Sequence, residues 1–271
     1  MTIPPHVATL LEMAASKNGF DRELSPAGDW FGFASTKAPL KVWLTVRQDV
    51  DYVAALSQHS VANALTGLGS ATTGPFPAGA VAARVVGGLP DLHRLVRRAF
   101  QLSRALPDEP LQAFEKQTAS MPKTTEAERL VVQRVGQDIF RNSLLEYWQG
   151  RCPVTGLAVP ALLRASHIKP WAECATDAER LDVFNGLLLA PHFDAAFDRG
   201  FITVADDGAV VVTAALSAVD RKAIGLEVPL VVKGLAEGHR KYLVWHRERV
   251  FKAASHESQY NGRSKSRADE T

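Results

Sequence analysis

Apolar residues recur at helical spacing in three stretches of the chain. The first runs from Val7 to Ala15 and predicts an opening helix. The second, Asp91 to Leu106, carries Leu92, Leu95, Val96, Ala99 and Leu102 on one period, with Asp91 placed to start a helix. Arg94, Arg97, Arg98 and Arg104 surround that stripe, either as a solvated face or as a face that contacts phosphates. The third, TEAERLVVQRVGQDIFRNSLLEYW, offers Leu130, Val131, Ile139, Leu144, Leu145 and Trp148 to a core. Gly136 within it costs about 1 kcal/mol of helix propensity relative to alanine, so it marks a kink or a close packing point.

Elsewhere the pattern changes period. WFGFAS and LKVWLTV alternate and are rich in aromatic and β-branched residues, which predicts strands. GLGSATTGPFPAGA, residues 67–80, reads as a long loop, and no GK[ST] follows its glycines to make a phosphate loop. Residues 107–127 hold three prolines among polar residues and predict a linker containing one helical turn. The chain then divides into a mixed α/β amino-terminal domain (1–106), the linker, a second domain (128–254) and a flexible polar tail (255–271), for an α+β class overall. In the second domain, Pro153 and Gly156 favour a turn, and helical signals return around AERLDVFN. Leu187 to Leu189 fit a short strand, followed by a turn near Pro191 and a helix through Ala195 and Phe197 that stops at Gly200. GFITVADDGAVVVTAAL has the two apolar runs and Asp-Asp-Gly centre of a hairpin.

Composition narrows the class without choosing a function. A hydrophobic fraction of 46% and a charged fraction of 22% describe a folded chain of 271 residues. With 31 basic and 29 acidic side chains the net charge is +2, so any case for nucleic acid rests on local clusters. No apolar run approaches membrane-spanning length, and the start of the chain lacks a secretory signal, which favours the cytoplasm and no membrane partner. Cys152 and Cys174 are too few for a four-cysteine zinc site and leave one disulfide open.

The chemistry concentrates in RASHIKPWAECATDAERLDVFNGLLLAPHFDAAFDRG, residues 164–200. His167 can act as a general base near neutral pH. Asn185 can orient a ring, tie a loop or offer a neutral oxygen to a hard cation. Asp194 and Asp198 share a face if their segment is helical, with His192 close by. Together these residues would surround one divalent ion beside a water-activating base, an arrangement suited to phosphodiesters. The plainer reading is that Asn185-Gly186 is a turn, Asp198 a local cap and Trp171 a packing residue.

The ordered set RVGQDIFRNSLLEYWQGRCPVTG, LLRASHIKPW, RLDVFNGLLLAPHFDAAFDRGFI and YLVWHRERVF resembles the HNH endonuclease family, in its restriction-endonuclease-like branch, over roughly residues 129 to 252. The resemblance implies a ββα-metal finger, double-stranded DNA as partner, and one divalent cation, Mg²⁺ or Mn²⁺, with Zn²⁺ or Ni²⁺ as other choices. It makes His167 the general base and Asn185 the residue that stabilises the loop, orients the base or touches the metal. Asp194 takes the last signature position, with His192 as rival or supplement. Ser166 stands where many members place a metal-binding aspartate, so Asp198 or Asp182 is needed to complete the ligands. Arg141, Arg164, Lys169 and Arg247 are the expected DNA contacts. The amino-terminal domain becomes a target-recognition or regulatory module by its position, and double-strand cutting would favour a homodimer. A DNA-binding protein with a degenerate, inactive fold is the alternative. His246 reads as a packed histidine, and His239, at a helix start, has no assigned partner.

Overall fold

A computed structural model describes residues 3–47 and 51–253, so the expected tail lies outside the described residues. After helix α1 (Pro5–Ser16), strands β1 (Arg22–Ala27), β2 (Trp30–Ala34), β3 (Val42–Arg47) and β4 (Asp51–Leu56) follow in antiparallel succession. Helix α2 (His59–Ala64), β5 (Ser70–Thr72) and β6 (Ala82–Val86) complete a sheet of order β1-β2-β3-β4-β6-β5. Strand alternation divides β3 between two cores. Val42 and Leu44 face the main one, while Trp43 joins Val53, Ala55 and Ala83 in a small cluster on the opposite side. The expected loop at 67–80 departs from its reading twice, since it contributes the edge strand β5 and lays Phe76 and Ala80 over that second cluster.

Three helices follow: α3 (Leu89–Ala105), α4 (Asp108–Thr118) and α5 (Glu126–Tyr147). The linker expected with a single helical turn contains all of α4, whose Phe114 is buried. Its prolines do not interrupt it. Pro107 caps the helix and Pro110 sits in its first turn, where backbone N–H groups have no intrahelical acceptor to lose. α5 opens on a capping box between Thr125 and Glu128 and continues through Gly136. A Cβ at Gly136 would lie 2.5 Å from the Trp171 ring and 3.3 Å from Phe114, which makes this glycine a packing point and not a kink.

The remaining elements build a ββα unit. Strand β7 (Arg164–His167) is followed by helix α6 (Asp177–Leu181), strand β8 (Gly186–Leu189) and helix α7 (Pro191–Asp198). β7 and β8 pair antiparallel, with His167 opposite Gly186. Proline fits the first turn of α7, so the expected turn at Pro191 is the helix start itself. Strands β9 (Ile202–Val204) and β10 (Val210–Val212) form the expected hairpin, and α8 (Ala218–Ala223) and α9 (Glu237–Arg249) close the described chain. One buried cluster runs from Leu11 in α1 to Leu243 in α9 without a break at the expected boundary. Glu146 of α5 reinforces the junction, its carbonyl accepting from Arg98 at 3.1 Å and its carboxylate from Arg104 at 2.9 Å.

Candidate active site

β7 lies between α5 on one face and α7 on the other. Because successive strand side chains alternate, Ser166 is directed to α7 and His167 to α5. Gly186 lets this layer close. A Cβ there would stand 2.5 Å from Phe140 and under 3.0 Å from Leu144, so the glycine after Asn185 serves helix–strand contact, in extended backbone, and not a turn.

His167 is held on three sides. Its ring stacks on Phe140 at 3.8 Å and meets the edge of Trp171 at 5.6 Å. Its Nε2 lies 2.9 Å from the Arg180 carbonyl. A carbonyl can only accept, so Nε2 carries the proton and the lone pair sits on Nδ1. Desolvation lowers the pKa of this histidine below its ordinary value, opposed by the Arg180 bond. The side chain is therefore an uncharged imidazole in the tautomer that leaves Nδ1 free to accept.

Asn185 is fully buried, and its amide ties the segment between β7 and α6. Oδ1 accepts from the Lys169 N–H at 2.8 Å, while Nδ2 approaches the Lys169 carbonyl at 3.1 Å, the Glu179 carbonyl at 3.2 Å and Cys174 Sγ at 3.3 Å. Of the roles open to it, this geometry is that of the loop tie, placed one residue from the carbonyl that orients His167. Cys174 is buried and free, as is Cys152, so the disulfide left open is not formed.

On the other face, Ser166 donates to Asp198 at 3.2 Å and is itself buried. Asp194 stands one helical turn earlier, close enough to Ser166 to be influenced by it. Desolvation raises the pKa of Asp194 despite Ser166 and Arg164. Desolvation and then the Asp194 charge raise that of Asp198. Two carboxylates and a hydroxyl offer oxygen donors, the ligand type that hard cations such as Mg²⁺ and Mn²⁺ take. Among the described residues no group of three or more His, Cys, Asp and Glu is placed to hold a metal. A cavity of about 370 Å³ has Ser166, His167, Trp171, Asp198 and His246 in its walls, while Asp194 is not among its lining residues.

Other expected site residues lie apart from this pair. His192 is exposed, with its ring 4.7 Å from Phe193, and stands two residues before Asp194, where helical spacing turns it away from the carboxylates. Asp182 caps the Val183–Asn185 turn, accepts from Tyr242 at 2.8 Å and pairs with Lys241 at 3.4 Å. Arg164 is exposed near Asp194. Arg141 binds the Leu163 and Pro160 carbonyls, both at 2.8 Å. Lys169 spans both oxygens of Glu179 at 3.0 Å, and Arg247 reaches the Val204 carbonyl and Asp206 at 2.7 Å. His246 is packed as expected, stacked on Phe197 at 3.8 Å between the Phe197 carbonyl and Thr203. His239 accepts from the Ala236 N–H at 3.0 Å, while its Nε2 has no partner.

Sequence reasoning missed Phe140, Arg180 and Glu179. Arg180 orients His167 through its carbonyl and binds the Cys174 carbonyl at 2.6 Å and Asp177 at 2.9 Å. Glu179 holds Lys169 and the Ala175 N–H. The only signal for Arg180 and Glu179 was the Thr176 cap with charges spaced three apart, which marks a helix start and no more, while Phe140 is one apolar residue of the α5 period.

Residues 152–205, from the turn after α5 through β9, match the family model for HNH endonuclease. No curated protein matches the chain. No helix among the described residues is long and apolar enough to cross a membrane.

Proposed function

With the match over 152–205 as premise, we propose that the protein is a divalent-cation-dependent DNA endonuclease of restriction or defence type, cutting phosphodiester bonds at the β7–β8–α7 unit. The observation that carries this reading is the joint opening of Ser166, His167 and Asp198 onto one cavity, with His167 in the neutral, Nδ1-accepting form. His167 takes a proton from the attacking water at Nδ1. The Arg180 carbonyl keeps the ring in the reactive tautomer, and Phe140 and Trp171 fix its plane. Asn185 holds the segment that presents that carbonyl. Asp194, Asp198 and Ser166 would hold the cation, which when bound supplies charge stabilisation to the phosphoryl group and the leaving oxygen. Arg164, exposed beside Asp194, is the best-placed phosphate contact of the four named from sequence. The amino-terminal sheet serves target recognition or regulation.

Supercoiled plasmid incubated with Mg²⁺, Mn²⁺ or EDTA tests the reading. Metal-dependent nicking is expected, reduced about 10²- to 10⁴-fold in His167→Ala; nicking that survives this substitution rejects the assigned base. A second reading, a binding protein with a degenerate site, is favoured by the lack of a three-residue metal cluster among the described residues. It predicts salt-sensitive DNA binding without cutting under any metal. Mn²⁺ titration calorimetry on wild type separates a metal-binding site from a metal-free one, and the same titration on Asp194→Ala tests the ligand set, because unchanged affinity removes Asp194 from the ligands.

A further inference from the structure

Between α3 and the segments 147–156 and 233–236, two cavities of about 540 and 510 Å³ share Arg98, Tyr147, Gln149 and Gly234 in their walls. They form one cleft over the carboxyl end of α5. Arg94 and Arg97 join Arg98 from α3, and Arg151 and Lys233 join from the opposite side, while no described residue lining either cavity is acidic. In a chain with net charge +2, five cations facing one cleft are a local concentration that the overall balance conceals.

The cations are positioned by the fold. Arg98 lies 5.5 Å over the Tyr147 ring and spends one donor on the Glu146 carbonyl. Arg97 is oriented by Asn18 at 3.0 Å, and Arg151 by the Gly156 carbonyl at 2.7 Å. Arg94 pairs with Asp91 on an exposed surface, and Lys233 is exposed. Arg94 and Arg98 stand about 6 Å apart along α3. Gln149, in both cavity walls, has φ of 55°, the one positive value at a non-glycine among the described residues, so it borders the cleft from a left-handed turn. Such a wall of guanidinium groups, a lysine, an amide and an aromatic ring suits an elongated polyanion with bases between its charges.

We propose that this cleft binds the phosphodiester backbone of the DNA outside the cut site, a choice of ligand that rests on the nuclease reading. It is a second contact surface, contributed jointly by α3 and by the Gln149–Gly156 turn. Arg94 and Lys233 carry little structural duty, so Arg94→Gln with Lys233→Gln tests it, beside Lys116→Gln with Lys222→Gln on exposed surfaces elsewhere. A labelled duplex is titrated by fluorescence anisotropy in EDTA at several salt concentrations, which reads binding without cutting.

The cleft pair should lose tenfold or more in affinity, and its log–log salt slope should shrink by about two, while the control pair matches wild type. Equal affinity and slope in cleft and control variants, with both melting as wild type does, overturns the proposal and leaves the nuclease reading standing. Cleft-dependent binding by a wild type that never cuts plasmid supports the proposal and removes the nuclease reading. Saturable binding of free dAMP in the cleft, with duplex affinity indifferent to the substitutions, assigns the cleft to a small nucleotide and overturns it.

Discussion

His239 and His246 are buried, and desolvation is the first cause that brings each to a pKa of about 4. Both are therefore neutral in the folded chain and ordinary in the unfolded one, near 6.5. Since the unfolded state takes up protons first, their contribution to stability is complete above pH 6.5 and is lost as pH falls toward 4. Urea midpoints measured at pH 7, 5.5 and 4.5 should fall steeply, by up to about 1.4 kcal/mol per pH unit for each histidine. His239→Phe should leave a shallower dependence, and an unchanged slope would reject the assignment. Asn185→Ala is a different kind of test at the same scale. It leaves backbone groups of Lys169 and Glu179 without partners and should cost about 2 kcal/mol or more, with earlier proteolysis between β7 and α6. Stability within a few tenths of wild type would show that the tie is dispensable.

Helices α5 and α7 and the β7–β8 pair divide the work of positioning. Gly136→Ala should gain about 1 kcal/mol in helix propensity but meets the Trp171 ring, so a net loss of about 1 to 3 kcal/mol is expected from overpacking. Combining it with Trp171→Leu should recover most of that loss. A double variant as destabilised as the sum of the singles would mean that the two residues do not couple. These elements also explain what could be read in advance. The periods of α1, α3 and α5 and the Asp-Asp-Gly hairpin are local patterns, so their residues were legible in sequence. β1 was not, because RELSPA is almost wholly exposed and shows no apolar alternation, and β4 and β6 were not, because DYVAAL and AARVV are short apolar runs whose period does not tell strand from helix. α4 was concealed by prolines that are harmless in a first turn. Within the site, His167, Asn185 and Asp194 stood out by residue type and spacing and took their roles from a resemblance, whereas the stack on Phe140 and the carbonyl of Arg180 exist only once α5, β7 and α6 are packed.

At the scale of the whole molecule, the buried cluster and the Glu146 junction join the two halves. Urea unfolding followed by near-ultraviolet dichroism and by tryptophan fluorescence should give coincident transitions. Two separated transitions would instead make the sheet unit independent. Under the proposed nuclease function, a shared interior has a further consequence. If the halves cannot swing against each other, the interval between the cleft above α5 and the opening beside β7 is constant, and the molecule acts as a ruler. Cut ends mapped on a duplex that the amino-terminal unit anchors would then fall at one fixed offset from the anchor, with no scatter for a hinge to introduce.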